Sequence, residues 1–281
     1  MKIAFASGKG GAGKTTVSVN LARILSNIRS LQFIDCDVEE PNGHLFLKPS
    51  IRHSVHVNIR VPLIDEKKCN NCGECARFCA YKAIASLPKV TLIFDDLCHS
   101  CGGCKLLCPE QAITEVDRKI GIIERGDSGG IDFIHGRLDV GKAMSSPLIH
   151  ALEKYINDDC LVIMDSPPGA NCATMSSLKI ADRIILVAEP TPFGLNDLKI
   201  IVDMVKELKK PFSVIINRYG MGNDKLEEWC LDNNIRITGK IPNDPVIARL
   251  YSDGHILVNS SQEYKRIFED IAAEILREVQ P

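Results

Sequence analysis

Long apolar runs are missing from this 281-residue chain. No stretch of 18 apolar residues occurs, which excludes a membrane-spanning helix. A dominant charge is missing as well. Lys and Arg number 34 against 36 Asp and Glu, a formal net charge of −2, so bulk electrostatics give no case for a nucleic-acid partner. Aromatics are sparse, with Trp229 the only tryptophan. The opening residues, Met1 to Gly10, read directly as an apolar strand running into a Gly-rich loop. That pattern predicts neither a signal nor a transit peptide, and a cytoplasmic setting. The length accommodates one large domain and a small one.

Cysteine, by contrast, is abundant. Twelve are present, and in a chain read as leaderless they argue for metal ligation rather than disulfides. Eight form two copies of one spacing, C-x2-C-x2-C-x3-C: Cys69, Cys72, Cys75, Cys79, and then Cys98, Cys101, Cys104, Cys108. The copies belong to an internal repeat with a period of 29 residues, in which the Gly after the second Cys and the closing Ala-Ile (Ala83-Ile84 and Ala112-Ile113) also match. A zinc ribbon needs two cysteine pairs, not four cysteines at this spacing, and not twice. The repeat resembles the bacterial ferredoxin run, in which the fourth Cys of each copy ligates the other copy's cluster. That resemblance implies two 4Fe–4S clusters, one on Cys69, Cys72, Cys75 and Cys108, the other on Cys98, Cys101, Cys104 and Cys79. Ala80 departs from the pattern where the second copy has Pro109, and removes no ligand. Such a unit folds only with its iron.

Around the repeat the pattern is α/β. Ile3–Ala6, Leu31–Ile34, Leu161–Met164, Ile184–Ala188, Val214–Ile216 and Ile237–Ile241 read as short buried strands. A helix is expected from about Gly13, with Val17, Leu21 and Ile24 inward, and another over 195–208. This predicts a doubly wound, mostly parallel sheet with an inserted small α+β ferredoxin-like domain. The expected boundaries are 1–58 and 119–281 for the discontinuous nucleotide domain and 59–118 for the insert. Ligands of such sheets bind at the carboxyl ends of strands. The loop from Gly8, Asp35 and Asp37, Asp165, Glu189 and Asn217 all fall at such ends.

The loop itself, Gly8-Lys9-Gly10-Gly11-Ala12-Gly13-Lys14-Thr15, fits the phosphate-loop pattern G-x4-G-K-T. Its glycines let backbone N–H groups face phosphate oxygens, and the following helix adds its positive end. Lys14 is expected at the β- and γ-phosphates and the Thr15 hydroxyl on Mg²⁺, with Thr16 also at the nucleotide. Lys9 within GKGGAGKTT gives the deviant form of the loop, and here the chain resembles the MinD/ParA/Mrp group of P-loop ATPases, the nitrogenase iron protein being a more distant relative. The resemblance covers about residues 1–55 and 120–281. It implies ATP as the nucleotide and a nucleotide-dependent homodimer in which Lys9 reaches the partner's phosphates. It further implies that Asp37 positions the attacking water, that Asp37 and Asp165 serve Mg²⁺, and that Asn217 and Arg218, with Pro242 and Asp244, hold the adenine.

Four thiols lie outside the repeat. Cys160 and Cys230 read as small buried hydrophobes; Cys36 sits between two switch carboxylates; Cys172 follows Asp165 by seven residues. The end of the chain, Tyr264 to Val279, reads as a helix with Ile267, Ile271, Ile275 and Val279 on one face. Its mixed polar face favours core packing over a membrane anchor. The reading for function is an Mg²⁺-dependent ATPase carrying two clusters, coupling ATP and dimerisation to electron transfer or to a redox-gated interaction with an unidentified redox or iron–sulfur protein. The alternatives are an Mrp-type cluster-assembly ATPase and a redox-sensing positioning ATPase like MinD and ParA. The first alternative expects a C-x-x-C outside the insert, which this chain lacks. The second expects a membrane helix or a basic surface, and neither is evident in the sequence.

Overall fold

The structure, a computed structural model, describes residues 1–142 and 144–277. Its strands are β1 (Lys2–Ala6), β2 (Leu31–Asp35), β3 (Ser50–Ile64), β4 (Ile84–Leu87), β5 (Val90–Ile93), β6 (Ile113–Ser128), β7 (Ile131–Leu138), β8 (Leu161–Asp165), β9 (Arg183–Ala188), β10 (Phe212–Tyr219) and β11 (Ile237–Pro242). The helices are α1 (Lys14–Ser26), α2 (Gly43–Leu47), α3 (Glu74–Phe78), α4 (Gly103–Leu106), α5 (Ser146–Leu152), α6 (Cys172–Ile180), α7 (Pro192–Glu207), α8 (Lys225–Asp232), α9 (Pro245–Ser252), α10 (Leu257–Ser260) and α11 (Gln262–Arg277).

Nine strands form one sheet in the order β11-β10-β9-β1-β8-β2-β7-β6-β3. From β11 to β7 every neighbour is parallel; β6 and β3 continue the sheet antiparallel. The middle strands β1, β2, β8 and β9 are apolar runs buried along nearly their whole length, as a parallel sheet covered on both faces requires. Two cores result. Val17, Leu21 and Leu25 of α1 join Phe268, Ile271 and Ile275 of α11 beneath one face. Leu148, Leu178, Leu198 and Val202 cover the other. The apolar side of α11 is therefore spent on the core, with Gly239 of β11 directly beneath Ile271. Val279, expected on that same face, lies outside the described residues. No described helix is long and apolar enough to cross a membrane.

Register places the chemistry. Asp35 pairs with Asp165 across β2 and β8, and Phe5 with Asp165 across β1 and β8, so three strands end level at the loop that follows β1. The helix expected over 195–208 begins earlier, at Pro192, because Thr191 caps it by accepting from the Gly194 N–H at 3.0 Å. Strand β10 extends beyond the apolar triplet Val214–Ile216 and includes Asn217 and Arg218.

The sequence reading did not anticipate β3, β6 and β7. Most of β3 is exposed, with His, Arg and Ser interleaved among Ile and Val, so it carries no apolar run to recognise. It is held by 14 register pairs with β6 and forms one edge of the sheet. The boundaries expected after residues 58 and 118 fall inside β3 and β6, whose paired ends project as a ribbon from the sheet. Between the ribbon ends, residues 65–112 hold α3, the β4–β5 hairpin and α4 around a small core of Ile84 and Cys104 with Ile113 of β6, against which Ile64, Cys75, Ala76 and Cys108 pack. The 29-residue repeat is a repeat of backbone too. Asn71 and Ser100 take φ of 57° and 55°, Gly73 and Gly102 of 78° and 71°, and Lys82 and Gln111 of 55° and 49°.

Candidate functional site

The phosphate loop leaves β1 at Ser7, whose hydroxyl donates to the Lys9 carbonyl at 2.8 Å. Two of its glycines are obligatory on steric grounds. A Cβ on Gly8 would lie 2.2 Å from the Asp197 carbonyl oxygen, and one on Gly13, at φ 89°, would lie 2.1 Å from the Asn217 amide nitrogen. Helix α1 starts on the next residue, so its unpaired N–H groups face the loop. A cavity of about 320 Å³ opens there, bounded by Gly10 to Thr16 on one wall and by Asn217, Arg218, Pro242 and Asp244 on another. Asp37 lines it as well. Gly8, Lys9 and Asp165 do not line this cavity.

Asp165 lies beneath it. Lys14 Nζ donates to its Oδ1 at 2.8 Å and Thr15 Oγ1 to its Oδ2 at 2.6 Å, and Lys14 and Asp165 are both buried. Burial works against the Lys14 charge, and the adjacent Asp165 more than restores it, so the ammonium is held above its ordinary range. Asp35 is completely buried. It accepts from the N–H groups of Asp37 at 3.1 Å and Gly43 at 2.8 Å. Burial first, and the Asp165 charge second, push its carboxyl up to about 8. Asp37 is pushed up to about 6, again chiefly by burial. Three carboxyl groups thus lie near the Lys14 ammonium. Asp35, raised to about 8, holds its proton at neutral pH, and Asp165 and Asp37 are the anionic groups, with the Thr15 hydroxyl beside Asp165, whose oxygens would suit a magnesium ion.

Lys9, expected to act on a partner's phosphates, is paired within its own chain. Its ammonium contacts the buried Glu189, whose second oxygen accepts from Arg218 at 2.8 Å. Arg218 holds a left-handed backbone, φ 55°, at that point. Asn217 Nδ2 donates to the Ala12 carbonyl at 2.9 Å, which leaves its Oδ1 as the remaining acceptor. Asp244 caps α9 through Val246 N–H at 2.8 Å and accepts from the Tyr264 hydroxyl at 2.6 Å. The reading of the sequence missed Glu40, Asn42, Ile247, Ala248 and Tyr251, which also line the cavity. The pair Asp244-Pro245 is a helix-start signal that could have pointed to α9.

The cysteines form a second region. One cavity, about 220 Å³, is lined by Cys79, Cys98, Cys101 and Cys104; another, about 20 Å³, by Cys69, Cys72, Cys75 and Cys108. Each gathers three thiols from one run and the fourth from the other. Backbone N–H groups point at sulfur in both copies, Ala83 to Cys79 and Ala112 to Cys108, each at 3.3 Å. Burial raises the Cys75 and Cys98 thiols and pushes Cys104 up to about 11. Among the described residues no group of three or more His, Cys, Asp or Glu is gathered so as to hold a metal ion. The two cysteine sets line cavities rather than meeting at a point. Tyr81 and His99 stack at 3.4 Å over the larger one. Of the other thiols, Cys36, Cys160 and Cys230 are buried and Cys172 is exposed at the start of α6.

Comparison with known proteins agrees with the nucleotide site. Uncharacterized protein MJ0578 of Methanocaldococcus jannaschii is 32% identical over 279 residues, 96% of each chain. Uncharacterized protein MJ0579 of the same organism is 31% identical over 281 residues, 98% of each. Among solved structures, the septum site-determining protein MinD of Pyrococcus horikoshii, complexed with Mg-ADP, superposes with a TM-score of 0.60 at 19% identity, covering 98% of this chain and 95% of that one. At that identity the likeness is one of fold. The family described as the CobQ/CobB/MinD/ParA nucleotide binding domain matches residues 3–258, a span that includes both cysteine runs. The chain belongs to this family of P-loop nucleotide-binding proteins, and its fold is that of MinD.

Proposed function

We propose that the protein is an Mg²⁺-dependent ATPase whose segment between β3 and β6, residues 65–112, carries two 4Fe–4S clusters, and that nucleotide state governs electron transfer or partner binding at that segment. The observation that carries the nucleotide half is the pairing of Lys14 and Thr15 with Asp165 under a phosphate loop. For the second half it is the pair of cavities with crossed cysteine sets, joined by a core too small to hold 48 residues without metal. The clusters supply one-electron chemistry when bound.

Phosphoryl transfer needs positioning and charge neutralisation rather than covalent work by the protein. Lys14 exchanges Asp165 for the β- and γ-phosphates. The Thr15 hydroxyl, Asp165 and Asp37 would hold Mg²⁺, which would neutralise charge on the phosphates. Asp37, raised to about 6 and facing the cavity, orients the attacking water. Asn217 Oδ1 accepts from the adenine amino group, which guanine replaces by an acceptor oxygen, so the site takes ATP. Pro242, Ile247, Ala248 and Tyr251 cover the base, with Asp244 fixing their helix. In the homodimer Lys9 leaves Glu189 for the partner's γ-phosphate, so hydrolysis requires two copies.

A second reading is nucleotide-driven positioning, with the clusters as redox sensors. The fold likeness to a septum site-determining protein favours it. The burial of the α11 apolar face in the core leaves that helix without a free membrane-binding side. The test is anaerobic purification followed by iron and sulfide analysis, electron paramagnetic resonance and ATPase assay with and without Mg²⁺. The proposal expects two reducible clusters per chain and Mg²⁺-dependent hydrolysis lost in Lys14→Ala. A chain that hydrolyses ATP but takes up no iron on reconstitution would leave the family ATPase and end the cluster reading.

A further inference from the structure

The two cysteine sets stand in different relations to the nucleotide site. The 69–73 loop keeps its hydrogen bonds within the segment. Asn70 donates to Glu110 at 3.0 Å, Thr91 to Asn71 at 3.0 Å, and Cys69 N–H to the Asp65 carbonyl at 3.0 Å. The 95–101 loop is tied to the nucleotide-binding body instead. Cys98 packs against the main core, as does Met144. Ser100 Oγ donates to the Arg60 carbonyl of β3 at 2.6 Å and accepts from the Arg60 N–H at 3.0 Å.

Asp96, two residues before Cys98, receives Arg118 Nη2 at 2.8 Å and Lys142 Nζ at 3.0 Å. Arg118 Nη1 also lies 3.0 Å from Asp95, though without hydrogen-bond alignment. Lys142 in turn stands at the end of a short lever. The residue after Asp37, Val38, accepts through its carbonyl from Leu138 N–H at 2.8 Å. Gly136 makes that contact close: a Cβ there would lie 2.7 Å from Val38 Cγ1. From Leu138 the chain passes through Asp139, whose N–H donates to Ile120 at 2.8 Å, and a turn closed by Lys142 N–H to the Asp139 carbonyl at 3.1 Å.

We infer that Lys142 and Asp96 are positioning residues that transmit the state of the Asp37 segment to the Cys79, Cys98, Cys101, Cys104 set and leave the Cys69, Cys72, Cys75, Cys108 set unaddressed. The inference rests on the reading of the insert as the cluster-bearing domain. A nucleotide that draws Asp37 toward Mg²⁺ moves Val38, hence the 138–142 segment, hence the turn that precedes Cys98. Each link is a hydrogen bond or ion pair between packed elements, so the displacement has a continuous physical carrier. Coupling is reciprocal, so reduction of that cluster changes nucleotide affinity by the same factor.

The test is hydrogen exchange read by mass spectrometry on the full chain after anaerobic reconstitution, with Mg-ADP and with a non-hydrolysable Mg-ATP analogue. Iron content is measured separately on the same samples and decides the cluster reading by itself. Exchange across residues 94–104 is expected to differ between the two nucleotide states by about fivefold or more, the low end of ordinary coupling, while residues 66–76 stay within about twofold. In Lys142→Ala the difference at 94–104 is expected to collapse with nucleotide binding retained, and Lys142→Arg to restore it. In a redox titration one midpoint of the two shifts, by about 59 mV for a tenfold coupling. Equal changes in both loops, change in neither, or a difference that survives in Lys142→Ala and in a second variant, Asp96→Asn, overturns the inference whatever the iron content.

Discussion

Asp35 offers the sharpest test of the charge arrangement at the nucleotide site. Its carboxyl is fully buried beside Asp165 and is raised from 3.8 to about 8. Between those values the folded chain holds a proton that the unfolded chain has released. Folding stability therefore falls as pH rises, by about 1.36 kcal/mol per pH unit for one such group. His44 and His135 oppose this trend. Both are held below their ordinary range, chiefly by burial, so they add stability as pH rises toward the imidazole's unfolded value.

The clean readout is therefore the difference between the parent and Asp35→Asn, in which the histidine terms cancel. Relative to the parent, the variant should gain stability on the order of 3 kcal/mol between about pH 5.5 and about pH 7.5. An asparagine can satisfy only one of the two N–H groups that Asp35 accepts, which subtracts a penalty of about 1–3 kcal/mol that does not vary with pH. The pH dependence, not the absolute difference, carries the test. The assay is urea unfolding without nucleotide or Mg²⁺ at several pH values, followed by tryptophan fluorescence from Trp229. Saturating Mg-ADP should flatten the parent's share of the slope, since the cation offsets the carboxylate charge. Parallel stability curves for parent and variant would refute the assignment of a protonated Asp35.

Further outcomes follow from individual contacts. Lys14→Ala leaves Asp165 buried without its ammonium, so stability at neutral pH should drop by about 3–5 kcal/mol in urea melts, and ATP hydrolysis should disappear in a phosphate-release assay. Asn217→Ala removes the Ala12 tether and, on the proposed reading, the adenine acceptor. Its ATP dissociation constant should rise about tenfold, or about 1.4 kcal/mol, with discrimination against GTP reduced, by calorimetry. Lys9→Ala removes a half-exposed partner of Glu189 and should alter stability by under about 1 kcal/mol, while hydrolysis falls at least about a hundredfold if the residue acts across a dimer. If the proposed clusters are bound, removing iron with a chelator under reducing conditions should open residues 65–112 to proteolysis while the nine-stranded sheet stays resistant in the same digest.

Much of the site could be read in one dimension because its parts are local. A phosphate loop, a C-x2-C-x2-C-x3-C run and a helix cap each draw their geometry from neighbouring residues, so Gly8–Thr15 and the eight cysteines stand out before any fold is known. Buried strands such as Leu161–Met164 are visible because a parallel strand covered on both faces must be continuously apolar. The β3–β6 ribbon was not visible, since an exposed edge strand such as Ser50–Ile64 is stabilised by pairing with distant residues and not by its own composition. Helix α9 was missed for a related reason: Ile247 and Tyr251 matter through the cavity they face, which is a property of where β11 ends.

By itself, then, the sequence determined the α/β class, the nucleotide loop with Lys14 and Thr15, the strand-end carboxylates Asp35, Asp37 and Asp165, and the duplicated cysteine spacing. These depend on periodicity and on short-range spacing. Tertiary structure alone decided that Asp165 bridges Lys14 and Thr15 and that Glu189 holds Lys9 within its own chain. It also decided that Lys142 meets Asp96 beside Cys98. Those contacts join residues far apart along the chain, and their distances follow from the register of a sheet whose strand order, β9-β1-β8-β2-β7, no linear pattern encodes.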